Sequence, residues 1–184
     1  LPMSREQSQR FAIACLAAGV VVLVDQATKA AALGGMSQTE RIPLLGDLLG
    51  LQLAFNPGAI LSLGADFTGL LTLLGVGAVV VLVVAAARAR TETWAVGIGL
   101  ILGGAIGNVI DRLFSPPGFG VGHVTDFLAY GNLFIGNLAD VALGAGALVL
   151  GLNMWIRHRR ARAKAAEQVT AHLGSAAGAA VTGP

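Results

Sequence analysis

The stretch 69–87 holds no charged side chain, and such a run leaves few structural options. A helix crossing a hydrocarbon core about 30 Å thick needs roughly 20 predominantly apolar residues. Lipid offers no partners for backbone polar groups, so a helix that satisfies its own is the natural conformation. Three further segments approach that length. Segment 11–33 is apolar through Val24 and then meets Asp25, Gln26 and Lys29; segment 93–110 is apolar until Asn108; segment 133–156 carries Asn137 and Asp140 near its start. Four spans are therefore expected at 11–33, 69–87, 93–110 and 133–156. Composition agrees, since 55% of the 184 residues are hydrophobic and only 12% charged, which marks a membrane protein rather than a soluble domain.

Basic residues collect on the cytoplasmic flanks of membrane spans. Here Arg5 and Arg10 precede the first span, Arg88 and Arg90 join the second to the third, and Arg157, Arg159, Arg160, Arg162 and Lys164 follow the fourth. Both termini are then cytoplasmic, and the segments 34–68 and 111–132 lie outside. Because the spans alternate in direction, their polar residues all fall at the outer end. The net charge of +2, distributed in helix-end clusters, excludes nucleic acid as an expected partner. The single cysteine, Cys15, allows no intramolecular disulfide and reads as a small packing residue. The first span is too long for a cleaved leader and is expected to remain as an anchor, with Leu1 and Pro2 read as possible additions ahead of Met3. Residues 1–164 form one expected membrane domain. The Ala/Gly-rich segment 165–184 has little to bury and is expected to be a disordered cytoplasmic tail.

Between the first two spans, Leu51-Gln52-Leu53 alternates like a half-buried strand, so a small outer sheet is expected. Asn56-Pro57-Gly58 is a turn signal, either an ordinary turn or one that aims the Asn56 amide at a ligand. Asp25 and Lys29, four apart, share a helix face in the favourable order and read first as an ion pair that fixes helix depth. Gly103 and Gly107 are spaced for close helix approach, with Gly104, Asn108, Asp111 and Arg112 on a neighbouring face. Arg112 suits three roles: snorkelling to headgroups, binding a substrate carbonyl or lipid phosphate, or pairing with a carboxylate such as Asp111. Asp126 and Asp140 differ in kind. Neither has a basic neighbour in sequence, and acids at such costly positions suggest a two-aspartate hydrolytic site at a membrane surface.

Taken together, Asp25-Gln26-x-x-Lys29, Asn56-x-Gly58-Ala59, Gly103-Gly104-Ala105-x-Gly107-Asn108-x-x-Asp111-Arg112, Val124-x-Asp126-Phe127 and Asn137-x-Ala139-Asp140 occur in an order that resembles the lipoprotein signal peptidases, the type II signal peptidases of bacteria. The resemblance implies a multi-pass aspartic endopeptidase of the bacterial cytoplasmic membrane. Such an enzyme removes the signal peptide from diacylglyceryl-modified prolipoproteins, cutting before the lipidated cysteine. It implies four transmembrane helices with a small extracytoplasmic β-cradle and a short amphipathic element, both mapped to the first outer segment. It places the catalytic dyad at Asp126 and Asp140. Asn56, Gly58, Gly104, Asn108, Arg112 and Asn137 would line or support the site, and Asp25, Lys29 and Asp111 would form its structural polar shell. Pro57, the pair Ile60-Leu61 and Gly136 depart from the family pattern and bear on the shape of the substrate groove.

Two carboxylates in a partly desolvated site do not readily both ionise, so one holds a proton and the other activates water. Asp140, near a helix start where the dipole favours negative charge, is expected to be the more acidic partner. No metal or organic cofactor is called for. The expected partners are a prolipoprotein and membrane lipid, and a monomer is compatible with the sequence. Two other classes fit the sequence less well: a small transporter, which would need polar residues along the whole path, and a non-catalytic lipoprotein-binding protein, which would leave both aspartates unexplained.

Overall fold

The computed structural model describes residues 3–58 and 65–181. Each apolar stretch forms one helix: α1 (Arg5–Gly35), α2 (Thr68–Ala87), α3 (Glu92–Phe114) and α4 (Leu138–Val181). All four, the last over Leu138–Ala165, are long and apolar enough to cross a membrane. Their starts are set by local chemistry. Ser4 and Thr91 accept the backbone N–H of Gln7 and Trp94, each at 3.2 Å, and so satisfy donors that a helix leaves free. The Gln7 amide donates to the Ala87 carbonyl at 2.9 Å, and the Trp94 indole N–H donates to Asn153 at 3.2 Å. The start of α1, the end of α2, the start of α3 and the later part of α4 therefore meet at one end of the bundle, together with the arginine clusters.

Inside and outside are reversed relative to a soluble protein. Leu16, Leu73 and Val81 are about 70% exposed, whereas Asp25, Lys29 and Asn137 are at most 2% exposed. The apolar surface is what lipid covers, and the polar groups are gathered within. α3 packs against each of the other three helices, and its glycines permit that. A Cβ on Gly103 would come within 2.7 Å of the Ala18 carbonyl of α1, and one on Gly104 within 2.5 Å of the Ala139 carbonyl of α4. Helices approach this closely where side chains are absent.

At the other end lies an antiparallel sheet in the order β1 (Ile42–Leu45), β2 (Leu49–Asn56), β3 (Val124–Tyr130), β4 (Phe134–Gly136). Leu51 pairs with Leu128 and Ala54 with Asp126, so β2 carries an extra residue between them, a bulge that bends the strand. Leu53 and Phe127 pack with Ala32, seating the sheet on the C-terminal end of α1.

Several boundaries differ from expectation. The sheet draws on three segments: β1 and β2 come from 34–68, β3 from 111–132, and β4 from the first residues of the expected fourth span. The fourth helix begins at Leu138 rather than at 133, because Phe134–Gly136 pairs with β3 and Gly131, at φ +55°, turns the chain back. α3 runs on to Phe114, so Asp111 and Arg112 stand on its last turn and not in a loop. The backbone of α4 continues helically to Val181, past the point where a disordered tail is expected; its alanines carry high helix propensity without large side chains to bury. Of the expected amphipathic element, the described part is one 3-10 turn at Ala65–Phe67. Leu1, Pro2, Ala59, Ile60 and Leu61 lie outside the described residues.

Candidate active site

Five elements converge where the sheet meets the bundle. β3 presents Asp126, 2% exposed, and the end of β2 places Asn56 beside it, with the Asn56 amide donating to Asp126 Oδ2 at 3.2 Å. The Asn56 side-chain oxygen accepts the Gly58 N–H at 3.0 Å, which fixes the orientation of the amide. The Asn56 side chain thus closes an Asx-type turn over Pro57 and aims its amide at the acid; the fourth residue of the expected turn, Ala59, lies outside the described residues. From α4 comes Asn137, the residue before the helix. Its side-chain oxygen accepts the Asp140 N–H at 3.0 Å while Asp140 Oδ2 accepts the Asn137 N–H at 3.2 Å, the reciprocal arrangement of a capping box. The Asn137 NH2 remains free for other partners. It donates to Asp126 Oδ1 at 2.7 Å and to Asn108 Oδ1 at 3.1 Å. Asn137 therefore bridges the two aspartates.

Asn108 of α3 completes the ring, donating to Asp140 Oδ1 at 3.1 Å and accepting from Lys29 Nζ at 3.0 Å. Beneath it, Lys29 lies 2.8 Å from Asp25 Oδ2 and 3.0 Å from Asp111 Oδ2. Gln26 ties α1 to α3, donating to Asp25 Oδ2, Asp111 Oδ1 and the Gly107 carbonyl, each at 3.2 Å. Sequence reasoning gave Gln26 no role; an amide among apolar helix residues beside Asp25 was the available signal. Among the described residues, no fully buried side-chain polar atom lacks a partner, as a buried polar network requires.

Arg112 does not point at open space. Its guanidinium donates to the Pro57 carbonyl at 3.2 Å and to the Gly58 carbonyl, and Thr68 donates to Pro57 at 2.9 Å. Of the three roles open to Arg112, snorkelling is not the one adopted: the residue is 8% exposed and clamps the turn that carries Asn56. Gly58 and Gly104 support the site through backbone, Gly58 as donor and acceptor and Gly104 as the contact that lets Ala139 approach. Gly136 adjoins Asp140, since a Cβ there would lie 2.9 Å from Asp140 Oδ2.

Burial pushes the Asp126 carboxyl up to about 7; the negative charge of Asp140 adds to the rise, while hydrogen bonds from Asn137 and Asn56 and the charge of Lys29 oppose it. Desolvation also raises the Tyr130 hydroxyl, with Asp140 contributing. Behind β3 an apolar groove of about 530 Å³ is lined by residues including Leu33, Phe55, Pro117 and Thr125. Successive strand residues face opposite sides, so Thr125 opens this groove away from the face that bears Asp126.

The model of the family described as signal peptidase (SPase) II matches residues 17–156, a range that contains every residue of this network. The chain belongs to the signal peptidase II family. A relative named lipoprotein signal peptidase from Rhodococcus jostii (strain RHA1) is 41% identical over 142 residues, covering 77% of this chain and 72% of its own. One of the same name from Leifsonia xyli subsp. xyli is 46% identical over 124 residues, covering 67% of this chain and 57% of its own. A solved structure, described as a bacterial membrane enzyme, superposes with a TM-score of 0.68 at 24% identity over 77% of this chain and 87% of that one; it attests the fold. As a signal peptidase II, the chain is a peptidase with four helices able to span a bacterial membrane. The sequence-predicted residues Asn56, Gly58, Gly104, Asn108, Asp111, Arg112, Asp126, Asn137 and Asp140, with Asp25 and Lys29 below them, all belong to one continuous assembly.

Proposed function

We propose that this signal peptidase II removes signal peptides from prolipoproteins, cutting just before a diacylglyceryl-modified cysteine, with Asp126 and Asp140 as its catalytic dyad. The observation that carries this reading is the Asn137 bridge, which holds two carboxylates together in a buried pocket next to Asn56 and Asn108. Asp126, with its carboxyl near 7, holds the proton and gives it to the scissile carbonyl oxygen. Asp140, whose two oxygens each accept one N–H, takes a proton from water as that water attacks the carbonyl carbon. The tetrahedral intermediate then collapses: its nitrogen takes the proton now held by Asp140 as the C–N bond breaks, one of its two hydroxyls gives a proton back to Asp126 as the new carboxyl group forms, and each aspartate regains its starting protonation state. General base and general acid are thereby combined in one pair.

The substrate logic rests on depth. Both termini are assigned to the cytoplasm by the arginine clusters, which puts the dyad near the outer face of the membrane, where the lipidated cysteine of an apolar signal peptide would sit. A transporter is disfavoured because the polar network occupies only one end of the bundle, and a passive binder would have no use for a bridged acid pair.

The deciding experiment gives purified protein a lipidated and an unlipidated precursor. Cleavage of the lipidated form is expected, and Asp126→Asn and Asp140→Asn should each slow it by at least about 100-fold, the lower range for losing general acid–base catalysis, while remaining folded in the membrane. Full turnover by both variants would sink the assignment.

A further inference from the structure

We infer that Lys29 is a positioning residue for the dyad, its ammonium joining the two carboxylates that hold the backbone immediately ahead of each catalytic aspartate. This deepens the peptidase reading and rests on it. Asp111 Oδ2, 3.0 Å from Lys29 Nζ, accepts the N–H of Thr125 at 2.9 Å, and Thr125 precedes Asp126 on β3. Asp25 pairs with Nζ through Oδ2 at 2.8 Å and with Oδ1 accepts the N–H of Ala139 at 2.9 Å, and Ala139 precedes Asp140 on α4. The third ammonium proton goes to Asn108 Oδ1 at 3.0 Å, and the Asn108 amide donates to Asp140 itself.

An ammonium has three donors, and each here begins a path that ends at a catalytic aspartate or its chain neighbour. An ion pair that merely fixed helix depth would need one carboxylate and would sit at the headgroup level. Lys29 is 2% exposed and takes two carboxylates from different helices. The strand bearing one acid and the helix bearing the other are thus referred to a single atom on α1. Misplacing a reacting group by 1 Å is enough to slow catalysis about 100-fold.

The test uses full-length protein in detergent or lipid, with cleavage of a lipidated precursor measured per folded molecule. Lys29→Met removes all three donors and the charge. Asp111→Asn removes the charge that draws the Lys29 ammonium to the Thr125 acceptor and sets an NH2 against either the Gln26 amide or the Thr125 N–H, which disturbs the link while the Lys29–Asp25 pair stays neutral and no buried charge is stranded. Both should lower kcat ten- to a hundredfold with KM changed less than twofold. The charges acting on Asp126 are Asp140 of α4, Lys29 of α1 and Arg112 of α3. Loss of the Lys29 charge lets the Asp126 proton persist to higher pH, so Lys29→Met should also move the high-pH limb of the rate profile upward. A role confined to folding would reduce yield while leaving kcat and that limb unchanged.

Folded Lys29→Met with parental kcat and profile overturns the proposal; if that variant does not fold, parental kcat in Asp111→Asn does so. Failure of both to fold would make the cluster a folding element and overturn it too. Parental protein that leaves the lipidated precursor uncut would instead defeat the peptidase reading, whereas parental cleavage with undiminished variants defeats this inference alone.

Discussion

Asn137 serves the site twice, once as a helix cap and once as the link between two acids. Its side-chain oxygen and backbone N–H close the first turn of α4 on Asp140, and its NH2 reaches Asp126 and Asn108. Asn137→Ala should lower stability by about 1 kcal/mol through the lost cap, read as a reduced Tm. It should lower kcat by a larger factor than that destabilisation explains. The buried Asp126 sets a second expectation. Its carboxyl titrates near 7, and the proposed mechanism needs it protonated, so the rate should fall about tenfold per unit as pH rises beyond that point. Because the Asn137 hydrogen bond opposes the rise, the same limb in Asn137→Ala should lie higher. A rate that climbs through pH 8 would contradict the assignment of the proton to Asp126.

At the scale of elements, the close seam between α3 and α4 depends on a missing side chain. A methyl at Gly104 would meet the Ala139 backbone at 2.5 Å, and backbone yields less readily than a flexible side chain. Gly104→Ala should destabilise by about 1–3 kcal/mol and misplace the start of α4, giving a lower Tm together with lower activity. Unchanged thermal stability would show that the helices can part without consequence. The same scale explains what the sequence disclosed. Helices α1 to α3 stand out by length and hydropathy, and β2 was visible through Leu51-Gln52-Leu53. β3 was not, because Val124–Phe127 is buried on both faces and lacks the alternation that marks a one-sided strand. β4 merged with the apolar run that follows it, which displaced the start of the fourth helix. Asp126, Asp140 and the amides that join them were legible as polar residues in costly places. The partners of Arg112 were not, since backbone carbonyls of Pro57 and Gly58 carry no residue-type signature.

For the whole molecule, the charge asymmetry predicts an orientation with both termini in the cytoplasm. In a Cys15→Ser background, Asn132→Cys should react with a membrane-impermeant thiol reagent in intact cells, and Arg90→Cys should react only after permeabilisation. Both positions are exposed, so labelling reports sidedness and not burial. The reverse pattern would put the dyad in the cytoplasm and remove the lipoprotein substrate from reach.

The capping box at the start of α4 carries a consequence for how such a chain can change. Asp140 stabilises the helix that presents it, and Asn137 stabilises both that helix and the opposing acid. Replacing either residue alone would loosen the helix and the dyad in one step, so a lineage drifting by single substitutions meets no neutral stopping place at these two positions. The chemistry proposed for the pair is thereby tied to the fold.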